Sequence, residues 1–277
     1  MTDGEHAQVA RERLHQLNEI HGKDLPLLPG MAAIATEEDP DTSEAEILHA
    51  MSSLSKGLYI PPDASVYEQA ARFTHHMNEE LGFKGDSTDF HNPSNSLIHQ
   101  ALVRKKGLPI TLSIIGIELG RQAGITLEGI GFPGHFLLKI KDGTPPFYID
   151  PYNQGKIHRQ EDLMEKLKEQ FGQVEDKDFI RAIQPNSSRQ ILMRVNNNLI
   201  HAFQLKNDPK GMLRAIERTL ILKPAHSEFH RVRGVLLKSL GRYHEAIEAI
   251  EFYLEQEPDG PDAEDMLQEL SLMKGIG

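Results

Sequence analysis

His135 and Asp150 stand at the two ends of HFLLKIKDGTPPFYID, in which two apolar runs flank a Lys141-Asp142-Gly143 turn. An imidazole opening one strand and a carboxylate closing the next can meet at one edge of an antiparallel pair. The carboxylate then bonds one ring nitrogen and leaves the other facing a pocket, which is how a general base is oriented. Such a pair deprotonates a nucleophile but is not one, and acyl transfer of the thiol type needs a cysteine. The chain has no cysteine. Thiolate chemistry is therefore excluded, and the same spacing serves equally well to pin two strands together.

Three zones must position this pair. From Ala7 to about Phe83 the pattern is helical: Val9, Leu14, Leu17 and Ile20 recur at near-helical spacing, and Ile47, Met51 and Leu54 follow the acidic loop EEDPDTSEAE. A further helix is expected over 66–81, with Tyr67, Ala70, Ala71, Phe73 and Met77 as its apolar face. In the middle zone His91 to Lys106 reads as a helix capped by Asn95 or Ser96. PITLSIIGIELGRQAG then starts a second helix at Pro109 and ends it at Gly124. It has so little polar surface that it must be surrounded, and Gly116 with Gly120, one turn apart, admit a close neighbour. Three short strands follow, Thr126 to Phe132, His135 to Ile140 and Pro146 to Asp150. Their short turns predict antiparallel pairing, and a buried helix on such a sheet is an α+β arrangement.

The third zone repeats itself. Ala215-Ile216-Glu217, Leu220 and Pro224 recur as Ala249-Ile250-Glu251, Leu254 and Pro258, a spacing of 34 residues. That is the tetratricopeptide period. Gly234, Leu240-Gly241-Arg242-Tyr243 and Ala246 make the second copy the better one, and Met212 in place of the small residue makes the first degenerate. Pro261 to Met273 reads as a closing helix. So short an array is expected to stack on the preceding part, giving two domains, 1–185 and 186–277. Arg194, Asn197, Asn198 and His201 are candidate polar contacts on the repeats.

Composition narrows the partners. The 277 residues carry a net charge of -11, so nucleic-acid backbones and anionic bilayers are repelled. The basic run Arg104-Lys105-Lys106 is better explained by cations in the last turn of a helix before Gly107. The amino terminus is no secretory signal and no run reaches membrane-spanning length, and the lack of cysteine suits a reducing, cytoplasmic compartment. Fourteen histidines invite a metal reading. However, HSEFH, carrying His226 and His230, lacks the glutamate directly after the first histidine, and surface histidines are the better account. His75 and His76 diverge on a helix, and His91 and His99 have no carboxylate pattern around them. GIGFPG lacks the lysine and following helix of a phosphate loop; no metal and no cofactor is expected. Phe132, Phe136, Phe147 and Tyr148 are expected to fill the core.

NSLIHQALVRKKGLPITL, GIGFPGHFLLKI and IDPYNQGK, with LGFKGD upstream and the repeats downstream, together resemble the SirB family of bacterial transglutaminase-like proteins with a tetratricopeptide tail. The resemblance covers essentially the whole chain and implies a papain-like transglutaminase core. In active relatives a cysteine opens the central helix, with its thiol pKa lowered by the helix amino terminus. Here His135 and Asp150 match the family's histidine and aspartate, and the cysteine's place falls in Pro109 to Thr111. Thr111 is the only hydroxyl there, far less acidic than a thiol and restricted by its β-branch; Ser113 lies further inside the helix. The resemblance thus implies a pseudoenzyme with a regulatory role, whose cleft binds a protein or peptide through His135 and Asp150, with Asn95, Thr111 and Tyr152 near the rim. The alternative is an amidase or peptidase using a hydroxyl or water activated by His135.

Overall fold

The computed structural model describes residues 3–275, which divide into two compact units between Val195 and Asn196. The first unit begins with α1 (Asp3–His21), α2 (Leu27–Glu38), α3 (Glu44–Leu54) and α4 (Val66–Thr74). Ser43 and Ser65 cap α3 and α4 through reciprocal bonds with Glu46 and Glu68. α4 continues as a π turn, His75–Glu80, so the expected helix over 66–81 is present but widens at its end. α1 buries Ala10, Leu14 and Leu17, whereas Val9 and Ile20 are exposed, a correction to the expected face. The interior helix α2, not foreseen from the sequence, buries Leu28 and residues 30–35.

β1 (Lys84–Gly85) and β2 (Lys106–Gly107) form a minimal parallel pair around α5 (Ile98–Arg104). The helix expected over 91–106 is in fact a short 3-10 turn, Pro93–Asn95, followed by α5. Asn92 caps that turn by accepting from Ser94 N–H at 3.0 Å, in place of Asn95 or Ser96. Lys105 ends α5 in the left-handed region at φ 57° and lays its ammonium 4.5 Å from the centre of the Phe83 ring.

α6 (Pro109–Gln122) is the central helix, with Ile110 through Gly116 all buried. Its two glycines do what the sequence requires of them. A Cβ on Gly116 would stand 2.6 Å from Leu138 Cδ1, and one on Gly120 2.8 Å from Leu127 Cδ1. Those leucines belong to an antiparallel sheet in the order β3 (Leu127–Ile130), β4 (Leu137–Ile140), β5 (Phe147–Asp150), β6 (Lys156–Arg159). β6 extends the expected three strands. The register sets Leu138 opposite Ile149 and Lys139 opposite Tyr148. Ile130, Leu137 and Tyr148 pack with Leu163 and Leu167 of α7 (Gln160–Phe171) and Phe179 of α8 (Asp176–Ala182). The sheet therefore lies between α6 and the α7–α8 pair, as α+β layering requires.

α9 (Ser188–Leu205) carries the division between the units. The second unit continues with α10 (Pro209–Leu222), α11 (Ser227–Ser239), α12 (Tyr243–Gln256) and α13 (Ala263–Lys274). Leu213, Leu237, Ala246, Ile250, Tyr253 and Met266 belong to its core. A Cβ at Gly234 would meet Ile250 Cγ1 at 2.5 Å, so the small residue of the repeat lets α11 and α12 interlock. Among the described residues no helix is long and apolar enough to cross a membrane.

Candidate functional site

His135 is held by a turn rather than by a strand. Its N–H donates to Phe132 O at 2.9 Å, Gly134 takes φ 74°, and β4 begins two residues later. Asp150 ends β5 with its side chain 1% exposed. The two meet, with His135 Nδ1 3.0 Å from Asp150 Oδ2. Asn153 completes the carboxylate's shell, its Nδ2–H donating to Oδ2 at 2.7 Å and its backbone N–H to Oδ1 at 3.2 Å. Burial pushes the Asp150 carboxyl up, but the bonds from His135 and Asn153 outweigh it and hold the group below its ordinary value. An ionised Asp150 accepts from Nδ1–H, and in the neutral imidazole this leaves Nε2 as the acceptor on a ring that is 29% exposed.

The start of α6 lies beside this pair. Ser113 Oγ–H donates to Phe136 O, one residue past His135, at 3.1 Å. Thr111 is fully enclosed, and among the described residues its Oγ1 has no hydrogen-bond partner. Asn95 is also fully enclosed: its Nδ2–H donates to Asp89 O at 2.7 Å, its Oδ1 accepts from Arg104 at 2.9 Å, and its backbone O accepts from Leu108 N–H at 3.0 Å. The expected rim positions of Asn95 and Thr111 are therefore corrected to the interior. Asn95 ties the Asp89–Asn92 loop to the entrance of α6.

Arg104 reaches in the other direction to Asp86 Oδ2 at 2.8 Å, while Thr88 donates to Asp86 Oδ1 at 2.8 Å. The Thr88 hydroxyl, with help from Lys106 and Arg104, holds the Asp86 carboxyl low in spite of burial. Two cations of the basic run thus serve one buried carboxylate. Tyr152 bridges this network and the dyad. Its ring covers Gly85, where a Cβ would come within 2.5 Å, and its hydroxyl is pushed up by burial and then by Asp86 and Asp150. Phe90 meets the Tyr152 ring edge-on at 6.0 Å between centroids and is itself exposed. Asp86, Phe90 and Asn153 were not foreseen; for Asn153 the signal was Asp-Pro three residues ahead, a turn-forming pair.

A groove of about 750 Å³ lies elsewhere, between α7 and α8, and takes in neither His135 nor Asp150. Three other histidines have local partners. His99 Nε2 lies 3.1 Å from Asp39 Oδ2, so it does have a carboxylate, contrary to expectation. His226 and His230 are partly exposed, the first set edge-on to Phe229 and the second stacked on Phe252 at 3.9 Å. Among the described residues no group of three or more His, Asp or Glu side chains is placed to hold a metal ion.

A family model described as the transglutaminase-like superfamily matches residues 42–197, and a tetratricopeptide repeat model matches residues 200–270. A protein of Xylella fastidiosa named "UPF0162 protein" is 28% identical over 250 residues, covering 88% of this chain and 88% of that protein. One of the same name from Vibrio cholerae is 29% identical over 255 residues, covering 87% and 89%. The human F-box only protein 21 is 37% identical over 88 residues, which is 29% of this chain and 14% of that protein. A pair oriented by an aspartate beside the start of a buried central helix is the geometry that this match leads one to look for, and the chain belongs to the transglutaminase-like superfamily.

Proposed function

We propose that the chain is a non-catalytic transglutaminase-like protein that keeps the imidazole–carboxylate pair for recognition. The observation that carries this reading is the 3.0 Å His135–Asp150 bond in a chain without cysteine. With Nδ1–H committed to Asp150, Nε2 is an acceptor that suits an amide N–H of a peptide or side chain. Tyr152 and, through its ring, Phe90 lie on the open side of the site, while enclosed Asn95 holds the Asp89–Asn92 loop and Thr111 only packs. The reading includes a regulatory role, a place in the SirB group, a repeat module that also engages protein, and a cytoplasmic location. The order of the motifs along the chain and the match to relatives over most of their length support it. The boundary near residue 185 is part of the same proposal, since it places all of α9 with the repeats.

Affinity co-purification from native lysate tests it, with the intact chain, His135→Ala and Asp150→Asn as baits. A partner retained by the intact chain and lost with both variants, each still folded at the temperature of the assay, is the expected result. Unchanged partners and unchanged stability in both variants would sink the idea. Turnover of amide substrates that disappears with His135→Ala would establish the alternative, an amidase or peptidase. Its nucleophile would then be water, since Thr111 Oγ1 is sealed in the interior.

A further inference from the structure

The second unit holds a groove of about 550 Å³ between α11, α12 and α13. Ile250 and Met266 form its buried floor. Its walls are Val235, Tyr243 and Leu272, exposed by 43%, 44% and 61%. Large apolar side chains that line one concavity while open to solvent mark a contact surface.

Charge says what the contact is. Residues 243–273, which supply α12 and nearly all of α13, contain ten carboxylates and neither lysine nor arginine. Lys238, the cation in the groove wall, is ion-paired with Glu269. Asp265, on the α13 side of the groove, has no cationic partner among the described residues, and neither does Glu264 beside it. A second copy of this chain would bring carboxylates against carboxylates, and an anionic bilayer would be repelled in the same way.

We propose that this groove receives a cationic amphipathic helix of another protein. Leucine-like side chains at helical spacing fill the Val235–Tyr243–Leu272 wall, and flanking lysines or arginines meet Asp265 and the carboxylates of α12 and α13. The inference rests on the reading that the repeat module engages protein, and it goes further by fixing the face and the chemistry of the partner.

Fluorescence anisotropy with the full chain tests it. The probe is a labelled helical peptide with leucines along one face and lysines beside them; counter-probes replace the lysines by glutamates or the leucines by serines. Binding of the Leu/Lys probe that weakens with salt, with neither counter-probe bound, is the expected result. The Val235→Ser, Leu272→Ser double variant should weaken binding by about tenfold, and Asp265→Lys should weaken it at low salt far more than at high salt. All three positions lie outside the core of the unit, so melting temperatures should not move. Equal binding of the glutamate probe, or binding unaffected by either variant, overturns the proposal. So does self-association of the chain that Leu272→Ser abolishes, because the occupant is then a second copy. His135→Ala run in parallel keeps the two sites apart: it should leave the probe's affinity unchanged, and a loss there would assign the probe to the dyad and overturn the groove.

Discussion

Asp150 is a buried carboxylate with three hydrogen bonds, and removing its charge has a predictable sign. Its folded pKa lies below the unfolded value of roughly 3.9, so its contribution is present above that pH and is lost as pH falls through the folded value. Asp150→Asn should cost about 1–3 kcal/mol near neutrality, and urea melts should show the gap to the unaltered chain closing below about pH 4. Thr111→Val should do the opposite of what a catalytic hydroxyl would require. It removes an enclosed hydroxyl without a partner, so stability should stay level or rise by up to about 1 kcal/mol, with partners retained. Arg104→Met leaves Asp86 buried beside Lys106 alone, at 4.0 Å, and should cost about 3 kcal/mol in thermal or urea melts. His135 and Asp150 were legible because one segment of sixteen residues, two apolar runs about a turn, carries them at its ends. Asp86 and Arg104, eighteen residues apart across a loop and a helix, were not, because no local period links them. Asn95 and Thr111 were legible as neighbours of the site but not as interior residues, since burial at a helix entrance depends on what packs over it.

The elements that announce themselves are those whose side chains point one way at a regular period. α6 is recognisable because little of its surface is polar and it begins with a proline, and its glycines are contact points with β3 and β4. Gly116→Ala should therefore cost about 1–3 kcal/mol by overpacking against Leu138 and Phe73. Thermal melts would show it, and a variant as stable as the unaltered chain would mean that β4 can move away. The repeats were legible through their 34-residue spacing, which survives a poor first copy because the interlocking residues recur even where the surface does not. Boundaries were less so. The strand expected from His135 begins at Leu137 because the Phe132–His135 turn uses the intervening backbone, and β6 is hidden in KIHR, too short and polar to announce a strand. α2 was missed for the reverse reason: LLPGMAAIATEE contains a proline and a glycine, usually read as a break. Here Pro29 sits in the first turn, where its missing N–H costs nothing, and Gly30 makes room for Leu192.

For the molecule as a whole, composition excluded more than it assigned. The net charge of -11 is unevenly spread, and the stretch without lysine or arginine falls on the two helices that close the repeat unit. Self-repulsion there should be relieved by screening, so raising salt toward about 0.5 M should stabilise that unit. Helical signals assigned to α12 and α13 would follow this, and a fall in their stability would mean that the ion pairs of Arg231, Arg233 and Lys274 outweigh the repulsion. The enclosure of α6 has a consequence of another kind. A helix roofed on one side by a sheet and on the other by helices gives up its amide protons to solvent only when the surrounding layers come apart. Deuterium uptake over residues 112–120 should be the slowest in the first unit and should follow its global unfolding free energy. Those amides would then serve as an internal gauge, recording for any substitution near the dyad whether recognition or merely the fold has been disturbed.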